Sequence, residues 1–206
     1  VGVADRLVQA AYLRGEASGL VNQVWKDRHD SVFHEDGRFA EGPVALVEVQ
    51  GYAFAAFRAM AALARWRREP ERANHWRALA TRLWQAVERH FWMADVEFYA
   101  IAIDGHGEPC RTRSSNVGHL LYTGLPEPAR AAKAAYQLLS RGFQSGWGIR
   151  TLAPDAARFN PMSYHNGSVW PHDVAISAAG LARYGERDGV VRMLRDTFEA
   201  ATHFGM

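Results

Sequence analysis

"SYHNGSVWPHDVAISAAGLARYG", residues 163–185, decides how this chain is read. Its first half holds a Tyr, two His, an Asn, a Trp and an Asp, broken by Gly167 and Pro171. Its second half is an apolar helical run that stops at Gly185. A helix N-terminus presents free N–H groups to an oxygen-rich ligand, and an aromatic ring beside them offers a face for sugar C–H groups. The stretch therefore reads as one wall of a sugar pocket, built from Asn166, Trp170, His172 and Asp173. The plainer alternative makes Asp173 a helix cap and Trp170 a core plug.

Working outward, the same grammar repeats. "ADRLVQAAYLRG" (4–15) reads as a short helix ended by Gly15. "VEVQGYAFAAFRAMAALARWRRE" (47–69) is apolar nearly all round up to Leu63, which predicts four buried turns with Glu48 and Gln50 near their start. "ERANHWRALATRLWQAVERHFW" (71–92) places Trp76, Leu79, Leu83, Val87 and Phe91 on one helical stripe. "FYAIAIDGHGEPC" (98–110) alternates, and predicts a short β excursion near residues 96–110. "SSNVGHLLYTGL" (114–125) reads as a helix capped by Ser or Asn, and "EPARAAKAAYQLLSRG" (127–142) as one with Pro128 in its first turn. Residues 143–171 form a long Gly-, Pro- and Asn-rich loop, and two further helices follow. Helix, polar loop, helix, repeated, predicts an all-α chain of αα-hairpins. Without a short repeat signature, the expected arrangement is part of an (α/α)6 toroid whose inner helices aim their N-terminal loops at one pocket.

Composition narrows the function. The chain has 206 residues, 24 basic and 22 acidic groups, and 48% hydrophobic content, so nothing marks a nucleic-acid surface. Neither a membrane span nor a secretory leader is legible, and the single Cys110 suits a reducing, cytoplasmic setting. No ligand pair has the tight spacing of a zinc site, so neither a metal nor any other cofactor is expected. The first residue is not Met, and the chain ends in "HFGM", so we expect part of a longer protein.

A second polar cluster lies at "GLVNQVWKDRHDSVFHEDG" (19–37), with Asn22, Gln23, Trp25, Asp27, His29 and Asp30 within nine residues. Carboxylates beside a Trp supply what glycosidic cleavage requires: one carboxyl held protonated assists the departing oxygen. Asp27 and Asp30 are equally readable as helix caps. Glu48 is the alternative acid, since burial at a helix start would raise its pKa. A non-catalytic carbohydrate-binding module would use the same aromatic walls. A helical interaction scaffold would explain the helices but not the loops.

Five motifs in order, "NQVWKDRHDS", "VEVQGYAFAA", "SSNVGHLLYTGL", "SGWGIRTLA" and "NPMSYHNGSVWPHDVAISAAGLARYG", resemble bacterial amylo-α-1,6-glucosidase (glycogen debranching enzyme)-like proteins. These sit among the (α/α)6-barrel glycoside hydrolases with trehalases, processing α-glucosidases and mannosylglycerate hydrolase. The resemblance implies inverting hydrolysis of an α-glucosidic, α-1,6-glucan-like bond. It implies Asp27 as general acid, with Trp25, Asp30, Gln50, Asn166, Trp170, His172 and Asp173 lining the substrate pocket. Val24 departs from the Gly common in the first motif. The general base of such enzymes lies in a later segment. The implied partners are a carbohydrate and the remainder of the same catalytic domain, and the fragment alone is expected to be inactive.

Overall fold

The computed structural model describes residues 25–205. The expected helix at 4–15, with Asn22 and Gln23, lies outside them.

Among the described residues, six helices follow one another as three hairpins. α1 (Val47–Trp66) and α2 (Pro70–His90) are joined by a three-residue turn. α3 (Asn116–Thr123) and α4 (Pro128–Leu138) are joined through Gly124. α5 (Pro171–Arg183) and α6 (Arg187–Phe204) form the last pair. Pro70, Pro128 and Pro171 open α2, α4 and α5, where the missing N–H has no helical partner to lose. α3 stops at Gly124, whose φ of 71° is a left-handed cap. No Ser or Asn side chain caps α3; the residue that would have done so, Asn116, points its amide elsewhere.

α1 packs on α3 and α3 on α5, while each is backed by the helix after it. Three inner helices thus form an arc, with α2, α4 and α6 outside. The close approach of α3 to α5 depends on glycine. A Cβ on Gly118 would sit 1.9 Å from Ser177 Oγ, and one on Gly180 would sit 2.6 Å from the Gly118 carbonyl oxygen. The core between the layers joins Phe54, Leu83, Val87, Leu120, Leu121, Leu138 and Leu181.

The β excursion falls where the alternation places it. β1 (Ala45–Leu46), β4 (Ala102–Ile103) and β5 (Pro109–Cys110) make a small antiparallel sheet in the order β1-β4-β5, with Ala102 opposite Cys110. β2 (Trp92–Met93) pairs with β3 (Phe98–Tyr99). The long loop from 143 is pinned by single bridges, Gln144 to Ile149 and Arg150 to Val169.

One expectation fails. The first four turns of α1 are not buried all round: Tyr52, Met60 and Leu63 are exposed. Apolarity on every face predicts burial on every face, but α2 and α3 cover only part of this helix. Among the described residues no helix is long and apolar enough to cross a membrane.

Candidate sugar-binding site

The N-terminal ends of the three inner helices meet. At the start of α1, Glu48 is 1% exposed and accepts a 2.7 Å hydrogen bond from Asn116 Nδ2 at the start of α3. One turn on, His119 bridges the other two helices. Its Nδ1 lies 2.6 Å from the Tyr52 hydroxyl on α1, and its Nε2 lies 2.9 Å from Asp173 Oδ1 on α5. Burial, then Glu48, pushes the Tyr52 phenol up to about 12, so it keeps a proton to donate to Nδ1 in the tautomer where that nitrogen is the acceptor. That leaves Nε2 as the N–H that donates to Asp173.

Trp25 lies over this bridge. Its ring stacks on His119 with 5.6 Å between centroids and 3° between planes. Edge-on to it stand His172 at 4.9 Å, His165 at 5.6 Å and Trp170 at 6.3 Å. Residues some 140 positions apart therefore share one aromatic box. Trp170 is held by its indole N–H, which donates to the Tyr164 carbonyl at 2.8 Å.

The carboxylates occupy different surroundings. The Asp27 side chain is 73% exposed at the rim, 3.9 Å from His165 Nδ1. Asp30 pairs loosely with Arg28 at 3.7 Å, and its carbonyl accepts from Asn166 Nδ2 at 3.0 Å, which ties the first cluster to the second. Asp173 is fully buried, so it is not a simple cap. Burial raises the pKa of Glu48, against the pull of His119, Lys26 and Asn116. Gln50 donates to the Leu46 carbonyl one turn back.

Lys26 is the residue least expected here. It is 1% exposed, and its ammonium donates to the Thr151 carbonyl at 2.8 Å. Burial lowers its pKa to about 8, with Asp173 and Glu48 acting in the opposite direction. A buried cation beside two buried carboxylates fixes a local field at the floor of the box.

Several buried polar atoms in this region have no hydrogen-bond partner among the described residues: Trp25 Nε1, Glu48 Oε2, Asn116 Oδ1, Asn166 Oδ1 and Asp173 Oδ2. Buried polar atoms are ordinarily satisfied. A set of four acceptors and one donor beside aromatic faces suits a polyhydroxylated ligand, whose hydroxyls donate to the acceptors.

Of the site residues singled out in the sequence, Trp25, Asp27, Asp30, Glu48, Asn166, Trp170, His172 and Asp173 are linked by these contacts, whereas Gln50, two positions from Glu48 on the helix, bonds back to Leu46. Sequence reading passed over Lys26, Tyr52, Asn116 and His119. Asn116 and His119 carried a legible signal, since polar residues three apart share one face of an otherwise apolar helix start. Lys26, among charged neighbours, gave no sign of burial.

The sequence profile of the mannosylglycerate hydrolase MGH1-like glycoside hydrolase domain matches residues 4–205. No curated protein sequence matches. Among solved structures, the GH63 mannosylglycerate hydrolase from Thermus thermophilus in complex with glucose is similar, with a TM-score of 0.66 and 24% identity over 78% of this chain. Neutral trehalase Nth1 from Saccharomyces cerevisiae is similar with a TM-score of 0.68 and 13% identity over 78% of this chain. The chain spans 40% of the length of the first and 32% of the second. These likenesses identify the three-hairpin arc as part of an α/α toroid. Matched by that profile along nearly its whole length, the chain belongs to the MGH1-like glycoside hydrolase domain family.

Proposed function

We propose that this chain supplies the acid side of a glycoside hydrolase that cleaves an α-glycosidic bond with inversion. The observation that carries the reading is the convergence of His165, Trp170 and His172 around Trp25, with Asp27 joined to it through His165 and Asp173 through His119. A hexose seated against Trp25 and Trp170 would place its glycosidic oxygen toward Asp27, the carboxyl of the group with an open approach. Asp27 then protonates the leaving oxygen. Glu48 stays the alternative acid, since its pKa is raised in the manner such a role requires, but its burial fits better with holding the floor of the box.

Inversion needs a second carboxylate about 6.5–9.5 Å from the acid, with a water between them. We assign that base to the remainder of the catalytic domain, because the chain spans 40% of the Thermus relative. On this reading residues 1–206 alone have no turnover.

For the substrate, the family description and the Thermus mannosylglycerate hydrolase favour a compact α-glycoside of mannosylglycerate type. Cleavage of an α-1,6-glucan branch, as in glycogen debranching, is the second reading, carried by the sequence resemblance to debranching-type proteins. Either would be cytoplasmic carbohydrate metabolism. The deciding experiment gives the complete protein a panel of α-linked glycosides that includes mannosylglycerate and an α-1,6-branched glucan, and follows the product anomer by NMR. Release of the β-anomer supports inversion. Binding without turnover of any glycoside would favour a carbohydrate-binding module instead.

A further inference from the structure

Away from the sugar site, two segments bring metal-ligating side chains together. His34 comes from the segment that follows Asp30, and Asp104 and Glu108 from the turn between β4 and β5. One ligating atom from each lies within 4.8 Å of the others. His34 Nε2 and Asp104 Oδ2 are 3.2 Å apart, and Cys110 Sγ lies 3.9 Å from the same nitrogen. Donors on bonds of about 2.0–2.3 Å around a tetrahedral ion stand roughly 3.3–3.7 Å from one another. The 3.2 and 3.9 Å separations are close to that range, and the exposed Glu108, within 4.8 Å, has to swing inward to complete the set.

A second observation singles the cluster out from an ordinary charged turn. Asp104 is 1% exposed. Its Oδ1 accepts from the backbone N–H groups of His106 and Glu108, at 2.9 and 2.8 Å. Its Oδ2 makes no well-directed hydrogen bond among the described residues and faces His34 Nε2 at 3.2 Å. The turn therefore holds one oxygen rigidly and leaves the other aimed at an imidazole. A surface depression lined by His34, Glu35, Asp36, Pro109 and Arg111 borders the cluster at His34.

We propose that His34, Asp104 and Glu108 form a binding site for a divalent transition metal of the zinc type. Imidazole with two carboxylates suits such an ion. The competing partner of Glu108 is Arg38, 3.6 Å away on an exposed rim, and ion pairs of that kind contribute little. The ion's role is a clip. It joins the β4–β5 turn to the segment running back to Asp30 and to Ser31, whose hydroxyl lies 3.4 Å from His165. Sequence spacing hid the site because its ligands are about 70 positions apart and none forms a short ligand pair with the His.

The test uses the whole chain without an affinity tag, stripped with EDTA and titrated with Zn2+ while binding and thermal unfolding are followed. One Zn2+ per chain and a raised Tm are expected. Glu108→Gln, at an exposed position that tolerates the change, should weaken binding at least about tenfold and shrink the Tm rise. His34→Ala should abolish both. Absence of Zn2+ uptake by the unaltered chain overturns the proposal. So does uptake that survives Glu108→Gln and His34→Ala unchanged.

Discussion

The ring of Trp25 lies parallel to that of His119, and His119 in turn is hydrogen-bonded to Asp173. A half-buried aromatic is thereby set by a buried carboxylate on a helix about 150 residues further along the chain. Stacking on a ring that is itself held at both nitrogens leaves Trp25 little rotational freedom.

Asp173→Ala removes the acceptor of that bond and leaves a buried imidazole N–H without a partner. Loss of about 3 kcal/mol is expected, read as a lower urea midpoint with an unchanged slope. Trp25 fluorescence, isolated by difference against a Trp25→Phe variant, should shift toward that of a solvated indole. An Asp173→Ala protein as stable as the parent would show that the bridge does not hold the box.

Asp27→Asn in the complete protein should lower kcat roughly 100- to 10,000-fold with Tm unaltered. The side chain is 73% exposed, so folding depends little on it. Activity close to that of the parent would remove Asp27 from the acid role and move attention to Glu48.

Glu48 gives the stability a pH dependence. Its folded-state pKa is raised above the usual 4.5, so the folded protein binds its proton more tightly than the unfolded chain does. The stabilisation is complete below about pH 4.5 and is lost as pH climbs through the raised folded value. Glu48→Gln keeps an acceptor for Asn116 and cannot ionise. Across about pH 4 to 8 the Tm of the parent should fall relative to this variant, and parallel Tm curves would contradict the assignment.

Gly118→Ala should destabilise by about 1–3 kcal/mol or more, because its Cβ would meet Ser177 Oγ at 1.9 Å and Cβ at 2.6 Å. Adding Ser177→Gly removes both atoms and leaves the Ser177 Cα at 3.1 Å, so the double variant should regain part of the loss. Calorimetric Tm values of the parent and the three variants measure that coupling.

Helix periodicity made the elements legible, and the Pro and Gly breaks set their ends at Pro70, Gly124, Pro128 and Pro171. The repeated polar loop before an apolar helix also announced that Trp25, Glu48, Trp170 and Asp173 belong to one region. Burial was harder to read. α1 is apolar on faces that the fold leaves exposed at Tyr52, Met60 and Leu63, while Lys26 sits in a charged run and is fully buried. Local pattern reports what a face would tolerate, whereas burial depends on which partner arrives there. The long-range bonds, Asn116 to Glu48 and His119 to Asp173, pair residues 68 and 54 positions apart and have no local signature.

Because Glu48, Asn116 and Asp173 each come from a different hairpin, the polar floor cannot mature before the third hairpin has emerged during synthesis. On a growing chain the Asn116–Glu48 bond has both its partners once the second hairpin is made, whereas the His119–Asp173 bond waits for α5. The bridge that carries Trp25 is thus the last part of the floor to close.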